Sequence, residues 1–297
     1  MAEIPITDAH THFFGREAAA DTQGWAAVRS ETYWAALVGR RPDGRPSLQG
    51  FPDERKFLSD MDAAGVERAV IQGWYWQNQS TCIEENARIA AFVAAHPDRL
   101  SAFAAVQPAQ SGAAEIAKSA RDMGFCGIGE LHDGVQKFSY KSAEFEMLAE
   151  AAAENGLALC LHITENTPRS YLGKTETDTI GALAAARRFG GVNFIFAHWC
   201  GNAVFETPQL FADLPNAFFD TAATQFTAPK DAFVAAGQNA VAAQKTLYGT
   251  DYPLRLYPRK FASEEMKTAA DFARSQASEH FAKNLFTKNC LKAIKNL

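Results

Sequence analysis

The chain has 297 residues, a formal net charge of −5 and 47% hydrophobic residues. That length admits one large α/β barrel or two ordinary domains with a core that needs no covalent staples. The acidic balance argues against a nucleic-acid partner, which calls for a basic face, and leaves a small-molecule substrate as the expectation.

The first strand is expected over residues 4–9 and runs into Asp8-Ala9-His10-Thr11-His12. Residues 13–52 follow as a long loop insertion that holds Trp25, Tyr33, Trp34, Arg40 and Arg41. At a barrel mouth such a segment is either a packed surface excursion or a substrate lid. Phe57, Met61 and Ala64 have helical spacing ahead of a strand at 68–73. Ile83, Ala87, Ala90 and Ala94, widened by Ile89 and Val93, do the same ahead of 100–106. Ile116 and Ala120 precede a strand at 127–131, Phe145, Leu148 and Ala152 one at 157–162, and Leu183 and Ala186 one at 192–198. Strands at 217–221 and 246–249 complete the series, with less regular helical stretches at 208–213, 230–242 and 263–275. An added C-terminal helix is expected at 279–295.

Gly65, Gly124, Gly156 and Gly190 stand where helices hand over to strands. Strands alternating with helices imply parallel pairing and right-handed crossovers, and eight such units suit a (β/α)8 TIM barrel. A doubly wound open sheet would carry a glycine-rich loop after its first strand, where this chain has DAHTHFFG. No repeat, low-complexity tract or linker divides residues 1–297, so a single domain is expected. Cys82, Cys126, Cys160, Cys200 and Cys290 are odd in number and widely spaced, without a CxxC pair, which suits a reducing compartment. MAEIPITDAH lacks the features of a signal peptide, and no apolar run approaches the roughly 18 residues of a membrane helix. A soluble, cytoplasmic protein is the expectation.

In a strand, residues two apart point to one side, so His10 and His12 face the barrel interior together and can share a metal ion. An HxH pair alone carries little weight. His162, His198, Asp251 and Glu130, however, also fall at or just past the ends of strands, where barrel active sites collect. Imidazoles and carboxylates buried in one layer are costly unless paired or metal-bound. His96, at a helix end before proline, and His280, at the start of the last helix, carry no expected role. Cys160 shares strand parity with His162 and reads as a core residue one layer deeper.

DAHTH, GIGELHD, LCLHIT, FIFAHWCG and LYGTDYP, in this order, resemble the amidohydrolase superfamily, most closely its amidohydrolase-2 group, which includes ring-acid decarboxylases and lactone hydrolases. FLSDMDAAGVERAVIQG, HPDRLSAFAAVQP and KNLF add to a likeness that covers nearly the whole chain. The resemblance implies that His10 and His12 bind a first divalent ion with His162 and Asp251. It implies that His198 binds a second ion, or contacts water or substrate where there is one. Glu130 stands where some relatives carry a carboxylated lysine, much as in TatD-like members; it is a ligand, or else a partner in an ion pair. His132 is expected at the rim or behind the ligands.

Zinc suits such imidazole and carboxylate donors, with manganese or iron as the other choices, and one or two ions are open. A bound ion lowers the pKa of its water to about 7, and Asp251 would take that water's proton and return it to the leaving group. Trp74, Arg169, Lys174 and Arg255 are the candidate substrate contacts, in loops that also hold Tyr75, Trp76, Glu165 and Tyr171. An aromatic wall with a few cations suits a planar or acidic molecule, though each is equally a surface charge or a packed ring. The first expectation is a hydrolase acting on a C–O or C–N bond. The alternative is non-oxidative decarboxylation of an aromatic or enoic acid in the same site. A TatD-like phosphodiesterase and a non-catalytic metal-binding barrel stand behind these. The last helix and exposed aromatics offer a surface for a homodimer.

Overall fold

The strands, in chain order, are β1 (Ile6–Thr11), β2 (Val66–Ile71), β3 (Leu100–Ala104), β4 (Phe125–Leu131), β5 (Ala158–Leu161), β6 (Phe194–Phe196), β7 (Ala217–Asp220) and β8 (Thr246–Leu247). They come from a computed structural model that describes residues 4–39, 47–167, 171, 173–255, 264–295 and 297. Each strand pairs in parallel with the next, in the order β1 to β8. The ring closes where Ala9 N donates to Tyr248 O (2.7 Å) and Asp251 N donates to His10 O (2.9 Å). The chain is therefore a (β/α)8 barrel, as the alternation of elements requires.

Eight inward side chains, Ala9, Val70, Phe103, Cys126, Cys160, Ile195, Phe218 and Leu247, fill the barrel in one cluster. A larger cluster, including Phe57, Met61, Phe92, Phe145, Leu148 and Leu161, lies between strands and helices. Burying each such large side chain contributes about 1.5–3 kcal/mol. The helices that supply it include α4 (Glu54–Ala64), α5 (Gln79–Ala95), α6 (Ala113–Ala120), the single turn α7 (Asp133–Gln136), α8 (Ala143–Glu154) and α9 (Thr179–Arg188). Asp53, Ser142 and Asp178 start three of these by accepting from backbone N–H groups at Lys56, Phe145 and Gly181. Gly65 ends α4 at φ 67°, the left-handed cap for which glycine is suited.

Several boundaries differ from expectation, each for a local reason. The first strand runs over 6–11, two residues later than the expected 4–9, because its pairing with β2 and the closing bonds continue through Thr11. The sixth stops at Phe196 and not at 198, because Asp220 Oδ1 draws the His198 N–H out of the ladder (3.0 Å). The helix expected at 230–242 breaks at Asn239, whose side chain accepts from Val241 N and Ala242 N and starts a new helix, Ala240–Lys245. The C-terminal helix forms over 279–293 with a wide turn at Asn284–Lys288. Its Cys290, Ala293 and Ile294 join the barrel's interior cluster, and Asn193 Nδ2, at the start of β6, donates to Ala293 O (2.9 Å). The helix thus seals the end of the barrel opposite the strand C-termini. Among the described residues no helix is long and apolar enough to cross a membrane.

The insertion after β1 is not a structureless loop. It folds into α1 (Arg16–Ala20), α2 (Thr22–Arg29) and α3 (Thr32–Val38). Trp25 and Trp34 pack on each other (4.9 Å between centroids) and on Trp76 from the second βα loop (5.2 and 5.5 Å). Arg40 and Arg41 lie outside the described residues. Between α2 and α3, buried Glu31 accepts from Gln77 N (2.8 Å) and Asn78 N (3.1 Å), pinning the insertion to that loop. Burial raises its carboxyl above the usual range, and these N–H donors work against that. Glu31→Ala leaves two backbone N–H groups without their acceptor. It should cost about 1–3 kcal/mol, visible as a Tm lower by several degrees in calorimetry while the barrel's far-ultraviolet dichroism stays intact.

Candidate metal centre

β1 carries His10 and His12 to the mouth with their Nε2 atoms 3.2 Å apart. Each ring's other nitrogen is committed. His10 Nδ1 meets Asp220 Oδ2 at 2.8 Å, and His12 Nδ1 meets Gln72 O at 3.2 Å. A carbonyl or carboxylate oxygen accepts, so each Nδ1 is the donor and each Nε2 presents a lone pair. Two lone pairs facing each other at this distance repel unless a proton or a cation lies between them. Asp251 Oδ1 completes this group, 3.4 Å from His12 Nε2 and 3.9 Å from His10 Nε2.

A second group stands across the barrel. His162 follows β5, and its Nδ1 lies 2.7 Å from Glu130 Oε1 and 3.3 Å from His198 Nε2. His198 donates its own Nδ1 to Ala222 O (3.0 Å), which again leaves Nε2 for the cluster. Glu130 joins the halves: Oε1 faces His162 and His198, and Oε2 lies 3.7 Å from both His10 and His12 Nε2. The backbone is shaped to allow this. At Gly129, φ is 130°, and a Cβ there would come within 2.3 Å of Cys160 O. His198, Trp199 and Cys200 are successively left-handed (φ 56°, 57°, 52°), and Asp251 is too (φ 64°). Each such residue costs of order 1–2 kcal/mol, a cost that clusters at functional sites.

Charge balance explains the protonation. Burial disfavours an ionised Glu130, yet the imidazoles of His162 and His10 outweigh it and hold the carboxyl well below its usual range. Burial likewise opposes ionised Asp251, and the bond to His12 with the charge on His10 brings it below the usual range. In return, burial pushes His10 down, but Asp220 and Glu130 raise it well above normal, and Glu130 and Asp251 raise His198 to about 9. Protons thus do the neutralising that a divalent cation would do. The fit is good: with those protons displaced, imidazole nitrogens and two acidic groups converge on common points, within 4.8 Å of one another in each group.

All six expected cluster residues, His10, His12, Glu130, His162, His198 and Asp251, are therefore brought together. The candidate substrate contacts divide. Trp74 reaches the cluster, its ring 5.3 Å from that of His12. Lys174 pairs with Glu165 (3.1 Å) and donates to Thr167 O, and Arg255 donates to Gln49 O (2.6 Å), so both are committed to loop contacts. Arg169 lies outside the described residues. Cys160, 0% exposed, sits one layer down beside His10 and Asp220 as its parity requires. Sequence reasoning missed Asp220. Its position at the end of β7, in FFDT, is the same strand-end signal that marked the histidines. It accepts from His10 Nδ1, His198 N and Ala222 N, so it sets both a tautomer and a turn. Asp220→Ala should weaken binding of manganese or zinc about 10–100-fold, read by competition with a chelating dye.

Residues 7–293 match the amidohydrolase-2 family profile, described as amidohydrolase. No curated protein sequence is significantly similar to the chain. Several solved structures share the fold. 5-Carboxyvanillate decarboxylase LigW from Sphingomonas paucimobilis aligns with a TM-score of 0.70 at 16% identity, covering 99% of each chain. A 5-carboxyvanillate decarboxylase from Novosphingobium aromaticivorans, complexed with manganese and a nitrobenzoic acid, aligns at 0.69 and 16%, over 97% of this chain and 95% of that one. 2,6-Dihydroxybenzoate decarboxylase from Rhizobium aligns at 0.65 and 16%, over 98% of both. With the fold, the ordered strand-end motifs and a match over nearly its whole length, the chain belongs to the amidohydrolase family.

Proposed function

We propose that the chain is a divalent-metal-dependent decarboxylase of a small aromatic acid. The observation that carries this is the roof over the donors. Trp74 and Tyr75 stack on each other (4.2 Å, 26°), and they meet the rings of His12 and His162 edge-on at 5.3 Å. Walls of this kind accommodate a flat ring. His162 is the most exposed member of the cluster, at 16% of its side chain, so the approach lies beside it. The likeness in fold to decarboxylases of carboxyvanillate and dihydroxybenzoate supports this reading above hydrolysis. One of those structures holds manganese, which supports manganese ahead of zinc.

His10, His12 and Asp251 would hold an ion with Glu130, and His162 and His198 would complete its far side or hold a second. Bound there, the ion supplies a positive centre for the substrate's oxygens. The chain's own groups do the rest. Trp74 and Tyr75 orient the ring and exclude water. His198, held by Ala222 O, fixes the departing carboxylate. The C–C bond breaks, carbon dioxide leaves, and the electron pair stays on the ring carbon. That carbon takes a proton that Asp251, ionised at rest, first accepts from solvent and then passes on.

Hydrolysis is the second reading, and one feature favours it. Glu130 spans two donor groups, as a two-ion site requires, and Asp251 rests ionised, ready to take a proton from water. The manganese- or zinc-loaded protein, offered hydroxybenzoates, lactones and amides, separates the two. Release of carbon dioxide without a new carboxylate supports decarboxylation, and a new carboxylate without carbon dioxide supports hydrolysis. In either case Asp251→Asn should keep its metal by elemental analysis and lose turnover by about 10²–10⁴-fold; undiminished activity removes Asp251 from the mechanism.

A further inference from the structure

His132, two residues beyond Glu130, takes no part in the cluster, yet it is only 1% exposed. Its ring lies parallel to that of His162 (4.7 Å, 8°), with Tyr75 edge-on at 5.1 Å and Tyr33 of α3 at 6.3 Å. Its backbone N–H is satisfied by Gln136 Oε1, but its Nδ1 is buried without a hydrogen-bond partner. A buried polar atom left unpaired costs about 1–3 kcal/mol, and phenylalanine would fill the same stack without that cost. The nitrogen therefore has a use that the protein alone does not supply. The surroundings narrow what meets it. Aromatic rings face it from α3 and from the loop after β2, the charges that act on it most are those of His162 and Glu130 within the cluster, and among the described residues its ring makes no ion pair. That setting suits an uncharged polar group. A hydroxyl both donates and accepts, so it matches either tautomer of a neutral imidazole.

We propose that His132 is a substrate-positioning residue whose Nδ1 hydrogen-bonds a hydroxyl on the ring of the aromatic acid, beside the carboxylate held at the cluster. The substrate is thereby an aromatic acid that carries a hydroxyl next to its carboxylate. This rests on the aromatic-acid reading above.

The test compares binding of 2-hydroxybenzoate and benzoate to the manganese-loaded protein by calorimetry. The wild type should prefer the hydroxylated acid by about tenfold, one hydrogen bond's worth. His132→Phe, which keeps the stack on His162, should erase that preference while metal content and benzoate affinity hold, and His132→Gln should restore part of it. A preference undiminished in His132→Phe overturns the inference. So does an equal loss of both ligands or of metal, which marks His132 as packing for His162. Failure of the wild type to bind either acid overturns the aromatic-acid reading itself, and this inference with it.

Discussion

Glu130 is one carboxylate shared between two sets of imidazoles, and the rest of the mouth is arranged to make that sharing affordable. A buried carboxylate needs compensating charge, and four histidines that merely surround it would be free to turn away. Three of them cannot. His10 is held by Asp220, His12 by Gln72 O and His198 by Ala222 O, each through Nδ1, so each offers its remaining nitrogen inward. His162 differs, presenting Nδ1 to Glu130 and His198. The orienting groups come from β7 and from the segments following β2 and β7, which the barrel already fixes in parallel register. Preorganisation is thus inherited from the sheet and needs no extra scaffold.

The roof is built differently from the floor. Its rings come from the insertion and the second βα loop, joined through Glu31 and the packing of Trp25, Trp34 and Trp76. Donors on strand ends and aromatic walls on connecting segments separate the chemistry from the choice of substrate. Strands set the fold and connecting segments are free to vary, which is how one barrel fold can be shared at 16% identity.

The strands and the convergence of six polar residues were legible because both follow from simple periods. Alternation placed His10 with His12, and strand-end position gathered His162, His198, Glu130 and Asp251. What lay beyond was non-local or irregular. Asp220 acts through hydrogen bonds to residues 210 and 22 positions away, which no local pattern encodes. The left-handed run at His198 to Cys200 overrides the β-branched and apolar signal that suggested a longer sixth strand. The insertion looked like a loop because its three helices are short, and α2 and α3 are buried mainly through large aromatic residues rather than a sustained apolar stripe. Lys174 and Arg255 were picked out by charge alone, and composition does not show the carboxylate or carbonyl that each also meets.

The seal at the far end of the barrel bears on how the fold is completed. Cys290, Ala293 and Ile294 belong to the same interior cluster as side chains from all eight strands, and Asn289 Nδ2 donates to Ala243 O and Thr246 O. Asn289, Cys290, Ala293 and Ile294 belong to no strand, and all follow β8 in the chain. A ring whose eight strands have paired but whose last helix has not docked still has an open floor and an exposed greasy lumen, so closing the sheet and closing the core are separate events in folding.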